Sequence, residues 1–283
     1  MFASLLSLIA AAAYGVGDFF GAIASRRTHP ILVSFIGHLF YMVTAFLGLL
    51  LIQGRWSTLG TWVGLATGAS EALGFLVFYY ALTLGRVAMV APLVSVIYAI
   101  VPVAWGLATG DKLSTAGWIG VGLGLLAVLA LTMETGTGEG EDKKPLSVVL
   151  VLSLVGGVMW GLSTVALSYA PENSGMVPVF IAGCTAFALM ALIVLAKRKK
   201  MDQAYAPDAL APSVWSGVLF GVANLLIITA LRYGTLSLVG LLTALYPLAT
   251  VFLARFILKE QIVRMQWFGI AFAVMAAALL SQA

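Results

Sequence analysis

The chain carries its plan in two copies. Residues 81–130 and 230–279 match without gaps at an offset of 149 residues. Both copies read Ala-Leu-x-x-Gly (Ala81, Leu82, Gly85; Ala230, Leu231, Gly234). An apolar run follows, then an acid (Asp111; Glu260) and Trp-x-Gly (Trp118, Gly120; Trp267, Gly269). A repeat this long exceeds a solenoid unit and implies a duplicated bundle of several helices, with each half a structural module.

The solvent of those modules follows from composition. The chain has 62% apolar and 9% charged residues among its 283 positions, with a mean hydropathy of +1.08, which excludes a soluble domain of this length. A membrane helix needs about 20 apolar residues. Ten stretches qualify, near 2–24, 31–52, 58–82, 88–109, 114–133, 146–169, 174–196, 211–231, 235–257 and 262–281. The expected fold is therefore an all-α integral membrane protein of ten transmembrane helices. It divides into a five-helix repeat at 1–134, a linker at 135–145 and a second five-helix repeat at 146–283. The first stretch reads as a retained helix: no basic residue precedes Asp18, and the second half has a matching helix. A lone Cys184 excludes an intramolecular disulfide.

Basic residues orient the chain. With the amino terminus outside, cytoplasmic loops hold Arg26, Arg27, Arg86, Lys143, Lys144, Lys197, Arg198, Lys199, Lys200, Arg255, Lys259 and Arg264, twelve of the fifteen. The opposite orientation leaves inside only Arg55, Lys112 and Arg232. The positive-inside rule thus predicts both termini outside an inner (plasma) membrane. The net charge of +4 is then a matter of topology. It gives no reason to invoke nucleic acid, and Lys197 to Lys200 read as a stop-transfer flank able to meet anionic lipid. Residues 136–145, Gly-rich and charged, read as a flexible cytoplasmic connector.

Five helices per half is an odd number, so the second copy enters the membrane from the opposite side. Inverted repeats are a common construction for secondary carriers, whose two halves exchange conformations to open one central site to either face. No catalytic constellation competes with this reading. Gly120, Gly122 and Gly124 lie within a membrane helix with no preceding strand, Gly161-Leu162-Ser163 lacks the second glycine of a nucleophile elbow, and there is no P-loop. His29 and His38 have no metal-ligand spacing. No cofactor is expected.

The same residues resemble the EamA family of the drug/metabolite transporter superfamily over nearly the whole chain. The resemblance rests on FYYALTLGRVAMVAPL (78–93), ITALRYGTLSLVGLLTALYPL (228–248), the terminal acids Asp111 and Glu260, and the opening YGVGDFFGAIASRR (14–27). It implies an inner-membrane carrier of a metabolite or drug, often an exporter, working without ATP hydrolysis. It does not imply one solute, since the family spans amino acids, nucleotide precursors, sugars and cationic drugs. The family's proline thirteen residues before the terminal acid is Pro247 in the second copy, where Tyr98 stands in the first; Pro102 lies one turn later. Both prolines are expected as gate or hinge positions, with the break in the fourth stretch one turn nearer the outer face.

Ionisable groups at depth give the sharpest expectations. A charge near the bilayer centre costs roughly 2.5–3.5 kcal/mol even on a mild scale, so such a group faces a cavity, pairs or stays neutral. Asp18, His38 and Glu71 are these groups, and all lie in the first half. Asp18 could instead bond nearby backbone, Glu71 could bond a neighbouring helix, and a lone membrane His is commonly a packing residue. Glu71 shares a face with Phe75 and Phe78. Tyr14, Tyr79 and Tyr98 in the first half, and Trp160, Asn224 and Tyr246 in the second, could line a pocket with ring faces and directed hydrogen bonds. Trp62, Trp118, Trp215 and Trp267 read as interfacial anchors. Small-residue stripes (Gly17, Gly21; Gly60, Gly64, Gly68; Gly217, Gly221) predict close helix approach. The functional expectation is a secondary carrier of a small molecule coupled to protons through Asp18 or Glu71. An uncoupled facilitator is the alternative, and a membrane-embedded scaffold or enzyme is the alternative from another class.

Overall fold

Backbone amides in hydrocarbon find no water, so a chain of this composition satisfies them within helices. The computed structural model describes residues 1–84, 87–132, 146–197, 206–257 and 264–280, and among these no strand occurs. The first half supplies α1 (Phe2–Ser25), α2 (Pro30–Leu51), α3 (Thr58–Leu84), α4 (Val87–Thr109) and α5 (Thr115–Thr132). The second supplies α6 (Leu146–Ser168), α7 (Val177–Ala196), α8 (Leu210–Ala230), α9 (Leu236–Thr243), α10 (Pro247–Ile257) and α11 (Arg264–Leu280). Among the described residues, seven helical stretches are long and apolar enough to cross a membrane, α9 and α10 together forming one of them. Within α4 and α5, Ile97–Thr109 and Thr115–Ala127 are shorter apolar stretches. Gly85, Arg86, the connector at 135–145, the cations Arg198, Lys199 and Lys200, and the Lys259-Glu260 pair lie outside the described residues.

The packing follows the repeat. Helix α1 packs on α8 as α6 packs on α3, and α2 packs on α8 as α7 packs on α3. Likewise α4 packs on α6 while α9 and α10 pack on α1. The corresponding helices α2 and α7, α4 and α9, and α5 and α11 meet each other directly. Each half therefore uses the other as its core partner, and the central space lies between halves.

Glycines set the closeness of these approaches. A Cβ at Gly68 would run into the backbone of Ala182 on α7, and one at Gly217 into the backbone of Gly37 on α2. These are equivalent interfaces of the two halves, as the shared stripe predicts. In α5, a Cβ added at Gly124 would meet the Leu241 side chain, while one added at Gly122 would meet nothing within 4 Å. Trp62, Trp118, Trp215 and Trp267 are all exposed.

The ninth apolar stretch breaks where Pro247 stands. Residues 244–246 form tight turns between α9 and α10, and the Thr243 carbonyl, which a residue-247 N–H would have bonded, accepts instead from Tyr246 N at 3.1 Å. The fourth stretch does not break: α4 is one helix through Pro102. The Pro102 ring rests against Gly240 of α9, where an added Cβ would collide with it. The expected pair of breaks, offset by one turn, is thus a single break, at Pro247.

Candidate functional site

Asp18 is carried by α1 and Glu71 by α3, on the faces turned to the other half; they are 1% and 2% exposed. Neither oxygen of either carboxyl has a hydrogen-bond partner. Asp18 therefore does not bond nearby backbone, as one sequence alternative held. The Tyr41 hydroxyl of α2 and the Asn224 amide of α8 face the Glu71 carboxyl without reaching hydrogen-bond geometry.

Both carboxyls line one cavity with Tyr14, Phe75, Tyr98, Trp160, Ser163 and Tyr246. These residues come from α1, α3, α4, α6 and the turn before α10, so both halves build the wall. The cavity holds about 320 Å³ of unfilled space, counting its mouth, but leaves the centre of a water molecule only about 10 Å³. That is close to what one water needs, so a larger solute requires the halves to separate.

The aromatic walls interlock. Phe75 meets Trp160 edge-on with ring centroids 4.9 Å apart and Phe220 at 4.2 Å. Trp160 lies 6.3 Å from Tyr246, and Tyr246 lies 6.4 Å from Tyr98 and 6.5 Å from Tyr14. Hydroxyls fix the tyrosines: Tyr98 shares a hydrogen bond with Thr164 (3.0 Å), and Tyr246 donates to the Ala91 carbonyl (3.0 Å). Gly15 makes this possible, since a Cβ there would strike the Tyr246 carbonyl.

Of the residues expected from sequence, Tyr14, Asp18, Glu71, Tyr98, Trp160 and Tyr246 share this cavity. His38 and Tyr79 line a second cavity of about 190 Å³ with Ser34, Gly37, Tyr41, Phe75, Gly217 and Phe220. Asn224 lines neither; its amide donates to the Phe220 carbonyl (3.2 Å). Pro102 and Pro247 lie outside both linings, consistent with positions that shape helices. Ser163, Tyr41, Ser34 and Phe220 escaped the sequence reading. Ser163 and Ser34 are ordinary small residues in apolar runs, and only their packing partners make them polar lining.

Chemically, two acids without a described cation beside them are held in an aromatic chamber at the junction of two halves. An ionised, unpaired carboxylate in such surroundings is costly, so each must keep a proton or exchange it for another positive charge.

The sequence profile of the EamA-like transporter family matches residues 1–133 and 147–282. With both halves matched, the chain belongs to this family of multi-pass membrane transporters. A crystal structure of a protein with 18% sequence identity superposes with a TM-score of 0.75, covering 99% of this chain and 96% of its own, a likeness of fold. No match is found among curated proteins.

Proposed function

We propose that this protein is a secondary carrier that exports a small metabolite or drug by alternating access, in exchange for protons taken up at Glu71 or Asp18. The observation that carries the reading is the pair of unpartnered, buried carboxyls in one aromatic cavity between the two halves. Ten spans arranged as two inverted five-helix repeats, at 1–134 and 146–283 with a cytoplasmic linker at 135–145, support the exchange: related halves interconvert by rocking about a fixed central site. The reciprocal packing of α1 with α8 and α6 with α3 supports that pairing. The basic residues of the sequence favour an inner membrane with both termini extracytoplasmic. Tyr14, Tyr98, Trp160 and Tyr246 hold the solute, Tyr79 and Asn224 brace the walls, and the break at Pro247 serves as hinge, with Pro102 as its packing partner through Gly240.

The experiment that tests this has two stages. A metabolite comparison of overexpressing and null cells identifies the solute as the compound depleted inside and enriched outside. The purified protein in proteoliposomes then moves that solute against its gradient when a pH gradient is imposed. Flux that ignores the pH gradient would favour the uncoupled facilitator. No flux of any depleted compound would favour the scaffold or enzyme.

A further inference from the structure

Phe75 is a wall shared by two cavities, the one holding Asp18 and Glu71 and the one holding His38. The second is apolar except for Tyr79 of α3 and a line of groups on α2. Ser34, His38 and Tyr41 follow at spacings of four and three, one face of the helix. The Ser34 hydroxyl, the His38 Nε2 and the Tyr41 hydroxyl are all buried with no hydrogen-bond partner. Three such groups in a row are expensive unless used.

The tautomer of His38 follows from its one bond. Nδ1 lies 2.7 Å from the Ser34 carbonyl. A carbonyl only accepts, so Nδ1 carries the hydrogen and Nε2 presents a lone pair. The rings of His38 and Tyr41 are 6.3 Å apart, and both line the second cavity. The cavity leaves the centre of a water about 10 Å³, close to what a single water needs. Beyond Tyr41 stands Glu71, whose carboxyl the Tyr41 hydroxyl faces. At 1.5 Å of rise per residue from Pro30, Ser34, His38 and Tyr41 lie about 6, 12 and 16 Å from the start of α2. That start is the cytoplasmic end in the proposed orientation.

We propose that His38 and Tyr41 conduct protons between Glu71 and the cytoplasmic side through this second cavity, by a route separate from the solute's; the proposal rests on Glu71 being the proton-coupling group. In the release direction Glu71 gives its proton to the Tyr41 oxygen while the Tyr41 hydrogen passes through one water to Nε2. The imidazolium then gives the Nε2 proton to water in the cavity on its way to the cytoplasmic side, while Nδ1 keeps its hydrogen on the Ser34 carbonyl. Glu71 ends as a carboxylate, and phenol and imidazole end unchanged. The titratable groups on the elements packed against His38 are Tyr41 on α2, Glu71, Tyr79 and Tyr80 on α3, Tyr14 and Asp18 on α1, and Cys184 on α7; the described residues of α8 carry none. Tyr79 is engaged with Ser216 (2.9 Å), which leaves Tyr41 as the phenol on the line. The separate route lets a proton leave while Phe75 keeps the solute in its own chamber.

The test uses the full chain in proteoliposomes and protons as the probe. A pH jump is followed by time-resolved infrared absorption of the carboxyl band, with the Glu71 component assigned by its loss in Glu71→Gln. His38→Gln and Tyr41→Phe are each expected to slow that component by about a hundredfold, the scale of a lost proton-transfer group, while leaving its final amplitude unchanged. Imidazole added to His38→Ala should restore the rate, an effect that a packing role would not produce. Wild-type rates in both His38→Gln and Tyr41→Phe would overturn the route and leave the carrier reading intact. A wild-type protein with no Glu71 carboxyl signal at all would overturn both.

Discussion

Single residues in this protein act across the interface between halves, and Asp111 is a clear case. Its Oδ2 accepts from the backbone N–H (2.9 Å) and hydroxyl (2.7 Å) of Ser237, in the first turn of α9. A carboxylate there satisfies free amides and suits the helix dipole, and Gly106 leaves the room for it. Asp111→Ala should lower stability by about 0.5–2 kcal/mol, the usual cost of a lost helix cap. Ser237→Ala should cost less because its N–H still bonds the acid; thermal unfolding in detergent measures both, and an equal or reversed order would contradict the cap. His29 caps α2 in a second way, its Nδ1 accepting from Ile31 N (3.2 Å). Burial, and after it the Lys197 charge, hold the His29 pKa below its usual value. The folded state therefore binds this proton less readily than the unfolded chain. The stability tied to neutral His29 is full above the unfolded value of about 6.5 and is lost as pH falls below it towards the folded value. Melting temperature against pH should show this acid loss in the wild type and lack that component in His29→Asn, which caps without titrating. An identical acid loss in both would assign it elsewhere. Sequence could name Asp18, His38 and Glu71 because a polar group in an apolar run stands out. It could not name Ser34, Ser163 or Tyr41, whose meaning depends on which helix faces them.

At the level of elements, the run of apolar stretches and their small-residue faces were legible, and helix ends fall within a few residues of the expected limits for α1, α2 and α3. The break at Pro247 was legible too, because a missing N–H acts locally. The continuity of α4 through Pro102 was not, since a proline marks where a helix can break without deciding that it does. In the proposed cycle this asymmetry assigns the hinge to α9 and α10. Pro247→Ala restores an N–H and would let the two helices fuse. Exchange between inward and outward states should slow by about tenfold, roughly 1.4 kcal/mol of barrier, with solute affinity changed far less. Single-molecule distance measurements across the cytoplasmic face, paired with equilibrium binding, separate the two. A loss of affinity with unchanged exchange would argue that Pro247 is not a hinge.

For the whole molecule, the duplication in the sequence already contained the architecture, because two halves of one pattern bury their apolar faces best against each other. What no single stretch contained was the cavity, which exists only where α1, α3, α4 and α6 converge on Tyr246. Orientation is testable separately from mechanism. Reporter fusions after Lys200 and after Ala283, both outside the described residues, should report cytoplasm and exterior respectively; a cytoplasmic carboxy terminus would reverse the assignment. The central claim is that a proton on Glu71 is traded for solute in a site shared by the two halves. Its most direct test is transport of the identified solute by Glu71→Gln in proteoliposomes under an imposed pH gradient. Gln keeps the shape of the side chain and removes its titration, so the variant should exchange solute across the membrane but fail to accumulate it. Accumulation by Glu71→Gln with the wild-type dependence on pH would contradict the account and leave Asp18 as the coupling acid.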